Sequence, residues 1–523
     1  MATIASNART VTSWIGGSAA SSAPGGTLQS VNPANTDEVV AEIQLGDSGT
    51  FVDACRAARN AQQAWAHTPA PQRGRAIQQI GRLVEDNKEA LARIVTREIG
   101  KPYPEALGEV QEIIDTCNFF LGEGRRLYGQ TVPSEMHDKQ LFTFRVPVGV
   151  AAIITAGNFP VAVPSWYLVP ALLCGNTVVW KPAEYAAASA QAMAELFLHG
   201  GLPDGVLNVV QCEGPAAFDG LERALDDGLV DKIGFTGSSP VGRKIGELAG
   251  RHLQSPCLEL GGKNPLVVMP DADMELAVEG ALFSGFGTAG QRCTSLGTVI
   301  AHESIHDAFL ERFAQAVEQA PIGDPMQDVL YGPMMSERFH ERFQDWLGWI
   351  KDHHSVHGST AVGRITSESP RAGFVGDPDA GIYDHPTVVS NVQPDDDLYK
   401  NETFGPIVGV MKFGDFDEAI ALANGHGYGL SSAIYTNDAK AAFQFRERVS
   451  AGMVSINNST SGAEAHLPFG GNGKSGNGSR QSGIWVLDQF TRWQSMNWDY
   501  AGKLQKAQMD VEDVAADLSF RLP

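Results

Sequence analysis

The chain has 523 residues, 43% of them hydrophobic, and a formal net charge of -22 at pH 7. This length predicts two or three folded regions with sizeable cores. The acidic balance argues against nucleic acid or an anionic membrane as the main partner.

Two segments must be tested, one as a secretory signal and one as a membrane span. Residues 1–17 have no basic stretch followed by an apolar run, so we expect no secretory signal. Residues 146–180 are uncharged, but Pro and Gly recur within them. This pattern favours buried strands and a buried helix over a membrane span.

Helical and strand periodicities alternate along the chain, which predicts parallel α/β sheets. Helical patterns occupy residues 53–65, 73–98 and 187–200, the last ending at a glycine pair. Residues 355–384 are rich in Gly, Ser and Pro and predict a surface connection, and residues 503–523 predict a peripheral tail. The predicted strands lie at residues 148–154, 177–180, 207–210, 232–235, 265–269, 298–301, 407–413 and 452–457.

The cysteines show neither close pairs nor a metal-ligand spacing. We therefore expect no structural disulfide, no metal site and a reducing, cytoplasmic location. The six residues are Cys55, Cys117, Cys174, Cys212, Cys257 and Cys293.

Two glycine-rich segments match the dinucleotide fingerprint G-x-G-x-x-G in full, namely residues 285–290 (GFGTAG) and 471–476 (GNGKSG). Neither follows a clear strand and opens a βαβ unit, so we interpret both as loop glycines, together with the fragment at residues 425–429. GNGKS also resembles part of a phosphate-binding P-loop, but that pattern needs Gly where this chain has Pro468.

A better candidate for a nucleotide site is IGFTGSSPVG at residues 233–242. A buried strand runs into Gly237, Ser239 is the predicted N-cap, and Pro240 takes the first helical position. Free N–H groups and the helix dipole then suit a pyrophosphate. An ordinary strand–helix turn explains the motif equally well.

Lys181 and Glu184 follow another strong strand, at the edge where open α/β sheets bind ligands. A carboxylate there can accept hydrogen bonds from ribose hydroxyls and would repel a 2′-phosphate, which favours NAD over NADP. Taken alone, the pair is also compatible with two solvated loop charges.

Three residues have the chemistry of a nucleophilic site. Cys293, in GQRCTS, is flanked by Arg292 and small polar residues, a setting that suits a stabilised thiolate. Glu259 interrupts an apolar strand, and burial would raise its pKa towards that of a general base. Asn158 follows the apolar strand at 148–155, where its amide can donate to an oxyanion.

With these residues in view, the chain resembles the aldehyde dehydrogenase superfamily over about residues 31–500. Each matching motif is individually weak, but their joint occurrence in this order is highly specific. The motifs are GNFP (157–160), KPAE (181–184), FTGSSPVG (235–242), LELGGKNP (258–265), GQRCTS (290–295), ETFGP (402–406) and PFGG (468–471).

The resemblance implies a role for each motif residue. Cys293 is the nucleophile, Asn158 and the Cys293 N–H form the oxyanion hole, and Glu259 activates the hydrolytic water. The implied NAD-binding residues are Thr155, Lys181, Glu184, Gly237, Ser238, Glu402 and Phe404.

The resemblance also implies an α/β fold with a Rossmann-like cofactor domain, an α/β catalytic domain and a small β oligomerisation arm. We expect the NAD-binding domain at 1–128 and 148–258, the catalytic domain at 259–468, the arm at 129–147 and 486–502, and the tail at 503–523. Family members are dimers or tetramers, so a homo-oligomer is implied.

Within the superfamily the chain most resembles the antiquitin-like branch, which oxidises α-aminoadipic semialdehyde. In that branch a glutamate matching Glu112 receives the ammonium group, while Arg292 and the N–H groups of Gly462 and Ala463 receive the carboxylate. The further implied substrate-binding residues are Phe159, Trp166, Thr294 and Phe469. Taken alone, Glu112 is better explained as a solvated helix residue, and Arg292 is also compatible with a group that only lowers the pKa of Cys293. Together with Gly462 and Ala463, the substrate-binding interpretation becomes about as good as this one.

Some features depart from the branch. KPAE and LELGGKNP are similar to succinic or glutaric semialdehyde dehydrogenases, and Gly157 replaces an aromatic residue that many relatives have, which predicts a more open or mobile wall. The remaining alternatives are a broad-specificity aliphatic or aromatic aldehyde dehydrogenase, an acyl-CoA-forming member, which typically lacks the general-base glutamate, and a catalytically dead scaffold.

Overall fold

The structure is a computed structural model that describes residues 8–523. Residues 1–7, which belong to the segment examined for a secretory signal and to the first expected domain range, lie outside the described residues. The strands in chain order are β1 (Arg9–Val11), β2 (Trp14–Ile15), β3 (Ser18–Ala19), β4 (Gly26–Asn32), β5 (Asn35–Leu45), β6 (Thr131–Val132), β7 (Lys139–Pro147), β8 (Val150–Ile154), β9 (Thr177–Lys181), β10 (Leu207–Val209), β11 (Lys232–Thr236), β12 (Cys257–Glu259), β13 (Asn264–Val268), β14 (Leu296–His302), β15 (Ile322–Gly323), β16 (Ser355–His357), β17 (Phe374–Val375), β18 (Thr387–Ser390), β19 (Ile407–Phe413), β20 (Tyr428–Gly429), β21 (Ser431–Tyr435), β22 (Met453–Ile456), β23 (Asn472–Gly473) and β24 (Thr491–Asp499).

The helices pack against these strands and against one another. They are α1 (Ser48–His67), α2 (Ala70–Asp86), α3 (Lys88–Ile99), α4 (Tyr103–Glu123), α5 (Ala162–Leu173), α6 (Ala187–His199), α7 (Gly214–Asp226), α8 (Ser239–Arg251), α9 (Met274–Phe286), α10 (His306–Gln319), α11 (Glu337–Leu347), α12 (Asp397–Lys400), α13 (Phe416–Asn424), α14 (Ala439–Arg448) and α15 (Leu487–Phe490).

The first large sheet has the strand order β12-β11-β8-β9-β10-β2-β3, with β8 to β12 parallel. The chain runs outwards from β8 through β9 to β10, then returns to the other side of β8 for β11 and β12. The strand order therefore reverses between β8 and β11. In open α/β sheets such a switch point leaves a crevice at the carboxyl ends of the strands, where ligands bind.

The second large sheet has the order β16-β18-β19-β14-β13-β21-β22 and is parallel except for β16. β12 of the first sheet and β13 of the second are joined by only four residues, 260–263. All the predicted strands form, with ends shifted by at most two residues.

A third, antiparallel sheet has the order β24-β7-β6, and β24 pairs with β7 from Thr491↔Pro147 to Asp499↔Lys139. β24 is an edge strand and exposes apolar side chains to solvent. These are Trp493, Met496 and Trp498, followed by Tyr500 just beyond the strand.

Two sequence-based helix boundaries are wrong. The single helix predicted at residues 73–98 is two helices, because the backbone leaves helical geometry at Asn87, where φ is -112° and ψ is 14°. The Asn87 side chain donates to the Leu83 carbonyl at 2.8 Å and so caps α2. The N-cap of α8 is Ser238 rather than Ser239, which puts Pro240 in the second helical position.

The buried helix α5 begins against a carboxylate of α4. Glu109 accepts hydrogen bonds from the N–H groups of Val161 at 2.9 Å and Ala162 at 3.1 Å, where α5 begins. The same carboxylate is paired with the Lys101 ammonium, and both side chains are fully buried. A buried anion thus satisfies free N–H groups and the positive end of the helix dipole.

The connection at 355–384 is largely irregular, with only β16 and β17 as regular structure, and residues 503–523 are exposed turns and coil. Among the described residues, no helix is both long enough and apolar enough to cross a bilayer.

We expect Lys101→Met to destabilise the protein by about 3–5 kcal/mol, because it leaves the Glu109 charge buried without its cation. Urea unfolding followed by circular dichroism measures the free energy of unfolding. The control Lys440→Met removes an exposed lysine. An equal, small effect of both variants would contradict the structural role of the buried pair.

Candidate active site

The Cys293 nucleophile candidate lies in a turn between the 3₁₀ segment Gly287–Gly290 and β14. Asn264, the first residue of β13, fixes this turn: its Nδ2 donates to the carbonyls of Cys293 at 2.9 Å and Ser295 at 2.7 Å. A Cβ at Gly262 would collide with the Cys293 carbonyl oxygen, so only glycine allows this close approach.

Asn158 lies beside the same turn. It is in a bend four residues after β8 rather than at the end of the strand, and its side chain is buried. Its Nδ2 donates to the Gln291 carbonyl at 3.0 Å, which brings the amide next to the nucleophile turn.

Glu259 ends β12 and is 4% exposed. Its Oε2 accepts the N–H of Gly471 at 3.2 Å. With the Gln481 amide turned to suit its neighbours, that side chain donates to Glu259 Oε1 at 2.8 Å and accepts from Tyr167 Oη at 3.2 Å. Burial raises the pKa of Glu259 well above its ordinary value, although Arg480 and the Gly471 N–H oppose the shift.

A cavity of about 10 Å³, about one water molecule in size, lies between Glu259 and Cys293. Its lining also includes Tyr167, Thr236 and Phe469. Burial, together with the Glu259 and Glu402 carboxyl groups, raises the pKa of the Cys293 thiol to about 12. The resting nucleophile is therefore a thiol whose proton must leave during attack.

A larger cavity of about 300 Å³ opens on the other side of Cys293. All the substrate-binding residues expected from the sequence line it, namely Glu112, Phe159, Trp166, Arg292, Thr294, Gly462, Ala463 and Phe469. The rings of Trp166 and Phe469 pack with centroids 4.6 Å apart and form one apolar wall.

The polar groups of this cavity differ in whether they have hydrogen-bond or ion-pair partners. Arg292 is 5% exposed and its guanidinium pairs with the carboxylate of Glu105. Glu112 Oε1 and Trp166 Nε1, in contrast, are buried and form no hydrogen bond of normal geometry within residues 8–523, although the Trp166 N–H is close enough to Glu112 to oppose the rise of its pKa. Burial and the nearby Glu109 carboxylate raise the pKa of Glu112 to about 8. Glu112 is thus a half-buried cavity residue with one buried carboxyl oxygen, and not a fully solvated one.

The expected cofactor residues gather at the carboxyl edge of the first sheet. Thr155 follows β8, Gly237 and Ser238 follow β11, and Lys181 ends β9. Lys181 Nζ donates to Glu184 Oε2 at 3.0 Å. Burial raises the pKa of Glu184, but Lys181 outweighs it and holds that pKa below its ordinary value.

Ser238, the N-cap of α8, makes no side-chain capping bond to its helix. α8 begins three residues after the carboxyl end of β11, next to the switch point between β8 and β11, so its first N–H groups start near that crevice.

Glu402 and Phe404 approach the site from the second sheet. Glu402 Oε1 accepts the N–H of Gly262 at 2.9 Å. The carboxyl group therefore lies next to residues 260–263, the segment between β12 and β13 that approaches Cys293. Burial raises the pKa of Glu402 to about 7 and lowers that of the neighbouring Lys263 to about 7. Phe404 packs against Phe339, with ring centroids 6.0 Å apart.

Gly157 does not leave the wall open, and this expectation is wrong. A Cβ at position 157 would lie 2.5 Å from the Tyr185 ring and 3.0 Å from the methyl groups of Ala183 and Ala186. The Tyr185 hydroxyl also accepts the Gly157 N–H at 3.2 Å. An aromatic side chain from position 185 fills the space, so position 157 must be glycine.

Sequence reasoning missed three residues of the site: Glu105, Lys263 and Asn264. Lys263 and Asn264 lie inside the motif LELGGKNP, so their position was a usable signal. Glu105 gave none, because its partners Thr288 and Arg292 are 183 and 187 residues away in the chain. The glycine-rich segment 285–290 is not a loop throughout: Gly285 and Phe286 are the last residues of α9, and Gly287–Gly290 form the 3₁₀ segment.

Comparison with known proteins agrees with this geometry. The model of the aldehyde dehydrogenase family matches residues 20–496. An α-ketoglutarate semialdehyde dehydrogenase from Haloferax volcanii is 39% identical over 91% of this chain and 97% of its own. α-Aminoadipic semialdehyde dehydrogenase from Bos taurus is 35% identical over 91% and 86%. Betaine aldehyde dehydrogenase from Staphylococcus aureus, solved with NAD+, has a TM-score of 0.88 and 29% identity, covering 94% of this chain and 96% of its own.

The chain therefore belongs to the aldehyde dehydrogenase family. It is an oxidoreductase with the α/β fold of that family, and the relatives it resembles include members of the antiquitin-like branch.

We expect Gly157→Phe to destabilise the protein by about 1–3 kcal/mol, because the new ring overlaps Tyr185. The double variant Gly157→Phe/Tyr185→Ala should recover part of the loss, since one ring then occupies the space. Thermal unfolding of the wild type and the three variants, including Tyr185→Ala, measures the coupling. Additive losses in the double variant would show that the two side chains do not compete for this volume.

Proposed function

We propose that the protein oxidises a short acid semialdehyde to the dicarboxylic acid with NAD, through a thioester on Cys293. One observation supports this most directly: a single cavity connects Cys293 to the Arg292 guanidinium and to Glu112, whose Oε1 is buried without a hydrogen bond. A buried polar atom of this kind is expensive in an apolar cavity unless a ligand meets it. Arg292, in contrast, is already paired with Glu105.

In the first half-reaction the Cys293 sulfur adds to the aldehyde carbon. The thiol proton leaves, the carbonyl oxygen becomes an oxyanion, and the product is a thiohemiacetal. The Asn158 amide and the Cys293 N–H are the proposed donors to that oxygen. The thiol proton passes to water in the substrate cavity, which Cys293 lines.

In the second half-reaction the thioester is hydrolysed. A water between Glu259 and the acyl carbon gives its proton to Glu259, and the hydroxide displaces the Cys293 sulfur to release the acid. The raised pKa of Glu259 makes it a stronger base than an exposed carboxylate.

NAD is the cofactor of this dehydrogenase, and when bound it would supply the acceptor for the hydride that leaves the thiohemiacetal carbon, which turns the thiohemiacetal into the thioester. The residues fit it: Ser238 leaves its hydroxyl uncommitted at the start of α8, where helix N–H groups suit a pyrophosphate. The ionised Glu184, beside Lys181, suits ribose hydroxyls and would repel a 2′-phosphate. Glu402 and Phe404 are the proposed contacts for the nicotinamide half.

The Glu112 end of the cavity suits a substituent next to the substrate carboxylate. An ionised Glu112 accepts hydrogen bonds from a 2-ammonium group, as expected from the sequence and as the substrate name of the bovine relative supports. A 2-oxo group, supported by the name of the Haloferax relative, would instead accept from Trp166 and from a protonated Glu112. We favour the 2-amino substrate and keep the 2-oxo substrate as the alternative.

The rest of the expected organisation is also proposed: the NAD-binding domain at 1–128 and 148–258, the catalytic domain at 259–468, and a cytoplasmic homo-oligomer, either a dimer or a homotetramer. The arm at 129–147 and 486–502 would join subunits, which the exposed apolar side chains of the edge strand β24 support.

Glu259→Gln should keep a burst of NADH but slow the steady state by about 10²-fold or more, because hydride transfer precedes hydrolysis. In the wild type, hydrolysis should speed up as pH rises through the raised pKa of Glu259, since only the ionised carboxylate accepts a proton. Stopped-flow absorbance at several pH values measures both phases. Equal loss of burst and steady state would place Glu259 in an earlier step.

Glu112→Gln tests the substrate. We expect it to raise KM for a 2-amino acid semialdehyde by about tenfold or more, since a charge-assisted hydrogen bond is lost. KM for a 2-oxo acid semialdehyde should change little, because Gln can donate to oxygen, and KM for a simple aliphatic aldehyde should stay unchanged. Steady-state kinetics with the three aldehydes measures this pattern, and Cys293→Ala serves as the inactive control. A wild type that prefers hexanal or benzaldehyde to every acid semialdehyde would contradict the proposed substrate class.

A further inference from the structure

Glu105, in the first turn of α4, has three polar contacts with the segment that precedes the nucleophile. Its Oε1 accepts the backbone N–H of Thr288 at 3.2 Å, and its Oε2 accepts the Thr288 hydroxyl and the Arg292 guanidinium. Its side chain is 18% exposed and lines the substrate cavity. Burial raises the pKa of Glu105, but Arg292 and Thr288 outweigh it and hold the pKa below its ordinary value.

The backbone that Glu105 holds is strained. Thr288 and Ala289 have φ of 52° and 54°, and Gly290 has φ of 68°, so three consecutive residues are left-handed. L-residues with side chains rarely adopt this conformation, and such strain persists only where surrounding contacts impose it. The two hydrogen bonds from Thr288 to Glu105 are contacts of that kind.

Arg292 is the other partner and directly precedes Cys293. Its Nε donates to Thr288 Oγ1 at 3.3 Å, and its guanidinium carbon lies 4.5 Å from the centre of the Phe283 ring. Since the carboxylate of Glu105 already neutralises this cation, the cavity receives less positive potential than an unpaired arginine would supply.

We propose that Glu105 is a positioning and specificity-determining residue, which holds the nucleophile turn through Thr288 and limits how much of the Arg292 charge acts on Cys293 and on an anionic substrate. The anchoring role needs only a hydrogen-bond acceptor, and the charge role needs the carboxylate. The two roles can therefore be separated by substitution. The substrate part of the proposal rests on the proposed function, whereas the part concerning Cys293 does not.

Glu105→Gln removes the charge and keeps an acceptor for Thr288. We expect alkylation of Cys293 by iodoacetamide at a fixed pH of about 8 to become about threefold faster or more, because an unbalanced Arg292 cation favours the thiolate. Peptide mass spectrometry follows Cys293 separately from the other thiols, and Glu311→Gln, at an exposed glutamate of α10, is the matched control. The titratable and charged groups around Cys293 include Glu259, Glu402 and Tyr167, together with Arg292, Glu105, Glu109 and Glu112 in the cavity.

The same variant should lower KM for an acid semialdehyde by about threefold or more relative to a neutral aldehyde of equal length, because the substrate carboxylate meets a less neutralised arginine. Glu105→Ala removes the anchor as well, and kcat should fall by about tenfold or more with every aldehyde, because the nucleophile turn is displaced.

An unchanged alkylation rate in Glu105→Gln would overturn the charge role, and a wild-type kcat in Glu105→Ala would overturn the anchoring role. If both variants lost activity equally with all aldehydes and melted at a lower temperature, with no change in the alkylation rate, Glu105 would be only a structural residue and the proposal would be overturned. Alkylation uses no aldehyde, so a faster alkylation without a preference for acid semialdehydes would count against the proposed substrate and not against Glu105.

Discussion

The active-site region depends on three carboxyl groups on one face of α4, because each of them lies at least partly inside the protein and needs a partner there. Glu105, Glu109 and Glu112 follow one another at intervals of four and three residues, so they lie on the same side of the helix. A buried carboxylate needs a cation, several N–H donors or a proton. Each of the three residues meets this need differently, and each solution fixes a different part of the site.

Glu109 is satisfied by Lys101 and by the first N–H groups of α5, which fixes the helix that supplies Trp166. Glu105 is satisfied by Thr288 and Arg292, which fixes the turn before Cys293. Glu112 has no such partner within the described part of the chain, so its pKa rises to about 8 and it is left for a ligand. One helix therefore connects core packing, the nucleophile and the substrate cavity.

The motif residues were predictable because they are close together in the sequence. Residues 257–264 cross from the first sheet to the second and contain Glu259, Gly262 and Asn264, so a single motif holds the base candidate and the support of the Cys293 turn. The sequence did not reveal two kinds of contact: those between residues far apart in the chain, and those in which one side chain fills the space beside another residue. Nothing near Glu105 indicates Arg292, and nothing near Gly157 indicates that the Tyr185 ring occupies its space.

Two helix boundaries were predicted wrongly for local reasons. The N-cap of α8 was misplaced because adjacent serines cap almost equally well. The break at Asn87 was missed because helical periodicity continues across a single non-helical residue.

Burial shifts the pKa values of the titratable groups in the active site towards their uncharged forms, and this restricts which groups can accept a proton. Burial keeps the Cys293 thiol protonated and raises the pKa values of Glu259 and Glu402, while it lowers that of Lys263. Glu259 must lose its proton before it can accept one from water. Under the proposed mechanism, hydrolysis therefore depends on a proton leaving a buried carboxyl group, whereas hydride transfer does not. The nearby Arg480 cation and the N–H of Gly471 favour the ionised form of Glu259 and so oppose the effect of burial, which assists that release.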